Sequence, residues 1–103
     1  MQGFQLSFFT QQDRSHQRKP LGEWLIETAH QLGIRGATLF AASEGFGHDH
    51  KIHAARFFEL TDQPIEITMA VTTEEADKVF EILRKEKIKI FYTKTPIEFG
   101  TTE

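Results

Sequence analysis

The sequence predicts an α+β fold with two helices on one face of a sheet. Three observations carry the prediction. In two stretches apolar residues recur at i, i+3, i+4 and i+7; in the runs around them apolar residues alternate; and Pro20, Gly33 and Pro64 punctuate the joins. Each helical stretch lies between extended runs, so the chain reads as a βαβ pattern used twice.

Residues 4–9 form the first strand, with Phe4, Leu6 and Phe8 on one face and Phe9 on the other. A polar connection follows through residues 11–19. Pro20 then stands at the start of a helix, where its missing N–H costs little. Leu21, Trp24, Leu25, Thr28, Ala29 and Leu32 make one apolar stripe, and Gly33 is placed to end the helix in the left-handed conformation. His30 falls off the stripe, on the surface. Small and apolar residues make 36–42 a second strand. A glycine- and histidine-rich loop leads to a third strand at 53–60, with Phe57 and Phe58 on opposite faces, and a turn at 61–64.

Ile65, Ile67, Met69 and Val71 alternate with Glu66, Thr68 and Ala70, the signature of a half-buried strand. Thr72 and Glu75 have capping-box spacing, and Ala76, Val79, Phe80 and Leu83 give the second helix its buried stripe. Arg84, Lys85 and Lys87 suit the negative end of that helix. Ile88, Ile90 and Tyr92 alternate with Lys87, Lys89 and Phe91 as a last strand, which Pro96 ends; the tail from Glu98 frays. The order is that of a ferredoxin-like split βαβ sandwich with an extra strand in the middle. Right-handed crossovers put both helices on the same sheet face.

The 103 residues suit one domain over 1–103, and 39% apolar content with ten phenylalanines suits a folded one. A net charge of −3 argues against a nucleic-acid-coating protein. The absence of cysteine removes disulfides and thiolate metal sites and suits a reducing cytoplasm. The first residues lack the pattern of a signal peptide, and no apolar run is long enough to span a membrane. Two helices cover one face of the sheet, yet Phe8 and Phe9 point opposite ways, Phe57 and Phe58 do too, and residues 39–42 carry apolar groups on both faces, so the uncovered face is partly apolar. Such a face predicts a homo-oligomer packed through its sheets.

The densest chemistry is Gly45-Phe46-Gly47-His48-Asp49-His50-Lys51-Ile52-His53. No Gly-Lys-Ser/Thr follows the glycines, and a strand rather than a helix comes next, so this is neither a P-loop nor a dinucleotide fingerprint. Glycines two apart do let backbone N–H groups approach an anion, with Lys51, Arg56, Arg35, Arg14 and Lys19 as sources of charge. A metal site is the alternative: His48 and His50 share one side of an extended chain and suit zinc, copper or nickel, whereas His53 has the opposite parity. A nucleophile with a base and an orienting acid is not evident, so the chain does not read as an enzyme.

These residues also carry a family resemblance. The run 22–33, then Gly36-Ala37-Thr38, Glu44-Gly45-Phe46-Gly47 and Ile52-His53-Ala54-Ala55-Arg56, resembles the DUF190 family, whose members are similar to PII signalling proteins. Asp13-Arg14-Ser15-His16 with Lys19-Pro20-Leu21 is similar to that family's loop into the first helix. The motifs are specific together and weak apart, and the resemblance spans almost the whole chain. It implies a cytoplasmic homotrimer with sheets facing inward. Such a trimer binds a small effector, often an adenine nucleotide, in inter-subunit clefts, and signals to a protein partner through the loop at 44–52. No obligatory cofactor is implied. By position, Gly45, Phe46, Gly47, His53 and Arg56 are the implied ligand-binding residues, with Arg14, His16 and Lys19 contributing from the first loop. The sequence departs from the family pattern at His48-Asp49-His50, where small polar residues are usual. Similarly folded divalent-cation-tolerance trimers keep a metal site at His48 and His50 as the alternative.

Overall fold

The computed structural model describes residues 1–46, 52–54 and 63–103, with the backbone alone at 44–46 and 52–54. The element order is β1 (Gln2–Gln11), β2 (Ser15–His16), β3 (Lys19–Pro20), α1 (Leu21–Gln31), β4 (Ala37–Ala41), β5 (Glu44–Phe46), β6 (Ile52–Ala54), β7 (Pro64–Val71), α2 (Thr73–Lys85) and β8 (Phe91–Glu98). Four strands form an antiparallel sheet in the order β4-β7-β1-β8. Helix α1 connects β1 to β4 across β7, and α2 connects β7 to β8 across β1, which is the ferredoxin-like arrangement expected from the sequence.

The core lies between this sheet and the two helices. Leu6 and Phe8 of β1 and Ile65, Ile67, Met69 and Val71 of β7 meet Leu21, Trp24, Leu25 and Ala29 of α1 and Ala76, Val79 and Leu83 of α2. Both helix stripes and the alternation of β7 therefore bury as their periodicities require. Phe8 is fully enclosed, with the rings of Phe80 and Tyr92 at 5.9 and 6.3 Å. Local signals set the helix ends. Gly33, at φ 78°, follows α1, and its N–H and that of Ile34 donate to His30 and Ala29 carbonyls. At the start of α2, Glu75 N–H donates to Thr72 Oγ1 at 3.1 Å and Thr72 N–H to Glu75 Oε1 at 2.9 Å, a complete capping box.

The opposite sheet face is organised in rows. Register places Phe40, Glu66, Phe9 and Phe91 side by side across all four strands. The Phe9 and Phe91 rings are 5.6 Å apart, and Phe40 and Phe91 are largely exposed. The next row is Thr38, Thr68, Ser7 and Thr93. Within it Ser7 Oγ lies 3.2 Å from Thr68 Oγ1, which donates to Glu66 Oε2 at 2.9 Å. Apolar groups do occur on both faces, but on this one the aromatics gather at one end beside a band of hydroxyls.

Three expectations change. The last strand begins at Phe91 and runs through Pro96, rather than beginning near Lys87 and ending at Pro96. Residues 86–90 are needed to close α2: Lys87 takes φ 58°, and the N–H groups of Lys87 and Ile88 donate to Arg84 and Leu83 carbonyls. Pro96 is accommodated because β8 is an edge strand. The tail is tied as far as Phe99, which exchanges two hydrogen bonds with Met1, at 2.9 and 3.0 Å. Finally, the strand expected at 53–60 is seen over Ile52–Ala54, paired with β5 rather than with the main sheet; residues 55–60, including Phe57 and Phe58, lie outside the described residues.

Candidate functional site

Loops carrying most of the candidate residues leave the sheet from one end. At that end β1 finishes, β4 finishes, and β7 and β8 begin. Two backbone bonds join the departing segments: Gln12 N–H donates to the Gln63 carbonyl at 2.9 Å, and Ala42 N–H to the Pro64 carbonyl at 2.8 Å. The 12–20 loop and the excursion between β4 and β7 are thus rooted side by side.

The 12–20 loop is itself a small hairpin. Strands β2 and β3 pair through Ser15 with Pro20 and His16 with Lys19. Its two central residues, Gln17 and Arg18, stand at φ 51° and 68°. Positive φ at both central positions matches the right-handed twist of a tight hairpin, but for side chains other than glycine it costs about 1–2 kcal/mol per residue. The loop is held by bonds on both flanks. Leu21 N–H donates to the Arg14 carbonyl at 2.8 Å, and the Arg14 guanidinium donates to the Lys89 carbonyl beyond α2. His16 Nε2 lies 2.9 Å from Glu86 Oε1, and Gln17 Nε2 donates to the same oxygen at 3.1 Å. The His16 ring sits edge-on against Trp24, with centroids 4.7 Å apart. Lys19 Nζ donates to Glu27 Oε2 at 2.5 Å. Burial lowers the Arg14 guanidinium below the ordinary arginine value, because desolvation penalises its charged form. An arginine nonetheless stays charged at neutral pH.

Arg14, His16 and Lys19 thus share one short loop, with their side chains on the Lys89 carbonyl, Glu86 and Glu27 respectively. Gly45 and Phe46 lie in β5, with Gly45 directly across from His53 and Phe46 across from Ile52. Gly47, His48, His50 and Arg56 lie outside the described residues. Among the described residues no group of three or more metal-ligating side chains converges.

Four residues at this site were not singled out by sequence reasoning for a role here: Trp24, Glu27, Glu86 and Lys89. Trp24 reads as core, Lys89 as a solvent-side position of the last strand, and the pattern assigns Glu27 and Glu86 no role. Their partners in the loop are up to 75 positions away along the chain, so no local signal marks them.

The comparisons with known proteins agree with this architecture. The family model DUF190, described as "Uncharacterized ACR", matches residues 3–98. The "UPF0166 protein" of Aquifex aeolicus (strain VF5) is 33% identical over 75 residues, 73% of this chain and 71% of that protein. Among solved structures, CPII is a nitrogen regulatory PII-like protein of Thiomonas intermedia K12, solved bound to ADP, AMP and bicarbonate. It matches with a TM-score of 0.73 at 18% identity, over 98% of this chain and 91% of that one. The periplasmic divalent cation tolerance protein CutA of Archaeoglobus fulgidus matches with a TM-score of 0.59 at 14% identity, over 99% of this chain and 89% of that one. The extent of the family match, the split βαβ topology and the loops gathered at one end of the sheet lead to one assignment: the chain belongs to the DUF190 family and has a PII-like fold.

Proposed function

We propose that the protein is a cytoplasmic PII-like regulatory homotrimer that binds a small anionic effector, an adenine nucleotide, in clefts between its subunits. Binding would be signalled to a protein partner through residues 44–52, without catalysis and without an obligatory cofactor. One observation carries the reading: the loop bearing Arg14, His16 and Lys19 and the excursion bearing Gly45 and His53 are rooted together, through Gln12 and Gln63. Guanidinium, imidazole and ammonium groups suit phosphate, and a glycine strand allows close approach of backbone N–H groups. Gly47, Phe46 and Arg56 complete the proposed contact set. That CPII, a similar fold, holds ADP and AMP supports the choice of nucleotide. The row of exposed Phe40 and Phe91 with half-buried Phe9 between them supports burial of the open sheet face in an oligomer.

Isothermal titration with AMP, ADP, ATP and cyclic nucleotides tests the effector. Saturable heat from at least one is expected, and none from any would refute an adenine nucleotide. Analytical ultracentrifugation tests the assembly; a monomer at micromolar concentration would remove the inter-subunit cleft.

The second reading is a divalent-metal trimer using His48 and His50, favoured by the likeness to CutA. Under it, H48A with H50A abolishes zinc or copper binding and leaves nucleotide binding intact. If the wild-type protein takes up neither metal, the second reading falls.

A further inference from the structure

Each of the three candidate effector contacts on the 12–20 loop already has a partner within the chain. Lys19 is on Glu27, His16 is on Glu86, and Arg14 is on the Lys89 carbonyl. Glu86 Oε1 receives both His16 and Gln17. A carboxylate oxygen holding two donors from one turn is what a phosphate oxygen of a bound ligand would also do. The loop thus has the form of an anion receptor, with two of the chain's own carboxylates standing where an anion's oxygens would go.

The two sides of this contact differ in rigidity. Glu27 lies within α1, and Glu86 caps α2 at a helix end closed by two backbone bonds, so both carboxylates are fixed to helices packed on the core. The loop is the strained partner, with Gln17 and Arg18 at positive φ. Non-glycine residues hold that conformation only where the surroundings impose it. If the ties to Glu86 and Glu27 break, the loop gains conformations and the helices lose nothing of their own hydrogen bonding.

We infer that Glu86 and Glu27 are resident competitors for the effector. A phosphate-bearing ligand enters by displacing Glu86 from His16 and Gln17, and Glu27 from Lys19. Ligand capture and release of the loop from the two helices are then one event, and the affinity measured is reduced by the fraction of molecules in which the carboxylates occupy the loop. The inference rests on the proposed role of this loop in effector contact, and it names the regulation of that site.

Glu86→Gln and Glu27→Gln keep the side-chain shape and remove the competing charge. Glu98→Gln makes the same change in net charge at the far end of β8. The test is calorimetric titration of the wild type and the three variants with ADP and, separately, with inorganic pyrophosphate, while NMR follows the His16 ring. E86Q and E27Q are expected to bind about 5-fold more tightly, at the low end of ordinary coupling because the pairs are partly exposed and screened. E98Q is expected to match the wild type, and the His16 ring signals to shift as ligand is added.

Binding by the wild type with E86Q and E27Q no tighter than E98Q would overturn the inference and leave the proposed function standing. Tighter binding of pyrophosphate by both variants, with no binding of ADP, would uphold the inference and remove the nucleotide. Failure of every protein to bind either probe would overturn the inference, and the titrations with AMP, ATP and cyclic nucleotides would then decide the proposed function. Should E86Q fail to fold, E27Q reads the Lys19 arm by itself, and there an affinity equal to that of E98Q overturns the inference.

Discussion

The two ends of the sheet are built on different principles. At one end Met1 and Phe99 exchange backbone hydrogen bonds, Gly33 closes α1, and the Thr72–Glu75 capping box opens α2. The ties there are backbone bonds or short local caps, and the packing leaves little room. At the other end backbone bonds root the 12–20 loop at its base, but its tip is tied to the helices by side-chain bonds to Glu86, Glu27 and the Lys89 carbonyl, and two of its residues adopt an unfavourable backbone conformation. Backbone closure is insensitive to which solutes are present; ion pairs and side-chain hydrogen bonds can be exchanged for a ligand's. The difference assigns stability to one end and adjustability to the other.

The largest effect that would bear on this contrast belongs to the closed end. A Cβ at Gly3 would stand 2.0 Å from the Val71 carbonyl oxygen and 2.8 Å from the Phe99 ring, and a backbone atom in a sheet cannot swing aside. Gly3→Ala is expected to cost about 1–3 kcal/mol or more, as overpacking does. Urea denaturation with an unchanged midpoint would show that this end is not rigid. Thr72→Ala should cost less, about 1 kcal/mol, through loss of the capping box. Thermal unfolding checks it, with Thr73→Ala, one position into α2, as the reference.

Legibility from sequence divides along the same line. The closed end was readable because its determinants are local: Gly33 after a helical stripe and Thr72 three residues before Glu75. The alternation of β7 and the stripes of both helices were legible for the same reason, since burial of one face imposes a period. The open end was readable as composition but not as geometry. Arg14, His16 and Lys19 stood out as a cationic loop, yet their pairing with Glu86, Lys89 and Glu27 depends on how the two helices lie on the sheet. β8 begins later than the alternation of Ile88 and Ile90 predicts, because the need to close α2 at Lys87 overrides that pattern. Pro96 signals a strand end in the sequence, and only the strand order, which puts β8 at an edge, shows that the strand can run through it.

A smaller effect tests the claim that the open end holds backbone strain. Lys87 occupies the left-handed position after α2 at φ 58°, where glycine is the usual residue. Lys87→Gly is expected to stabilise the protein by about 0.5–1 kcal/mol, the left-handed penalty less the added freedom of glycine in the unfolded chain. A fall in melting temperature would mean that the Lys87 side chain contributes something the backbone conformation does not reveal.

The smallest effect is also the one that separates the two ends most sharply. His16 and Glu86 are 21% and 30% exposed at the side chain, and Lys19 and Glu27 are 37% and 53% exposed. Side-chain contacts so open to water are screened by solvent and salt and contribute about 0–1 kcal/mol each. Glu86→Gln and Glu27→Gln should therefore each lower stability by no more than about 1 kcal/mol, the free energy that corresponds to the 5-fold gain in affinity. Amide exchange over residues 14–19 should nevertheless quicken, because the loop loses the ties that impose positive φ on Gln17 and Arg18. A global loss of stability equal to that of Gly3→Ala would place the loop among the structural elements of the fold, and the contrast between the ends would then be one of chemistry alone.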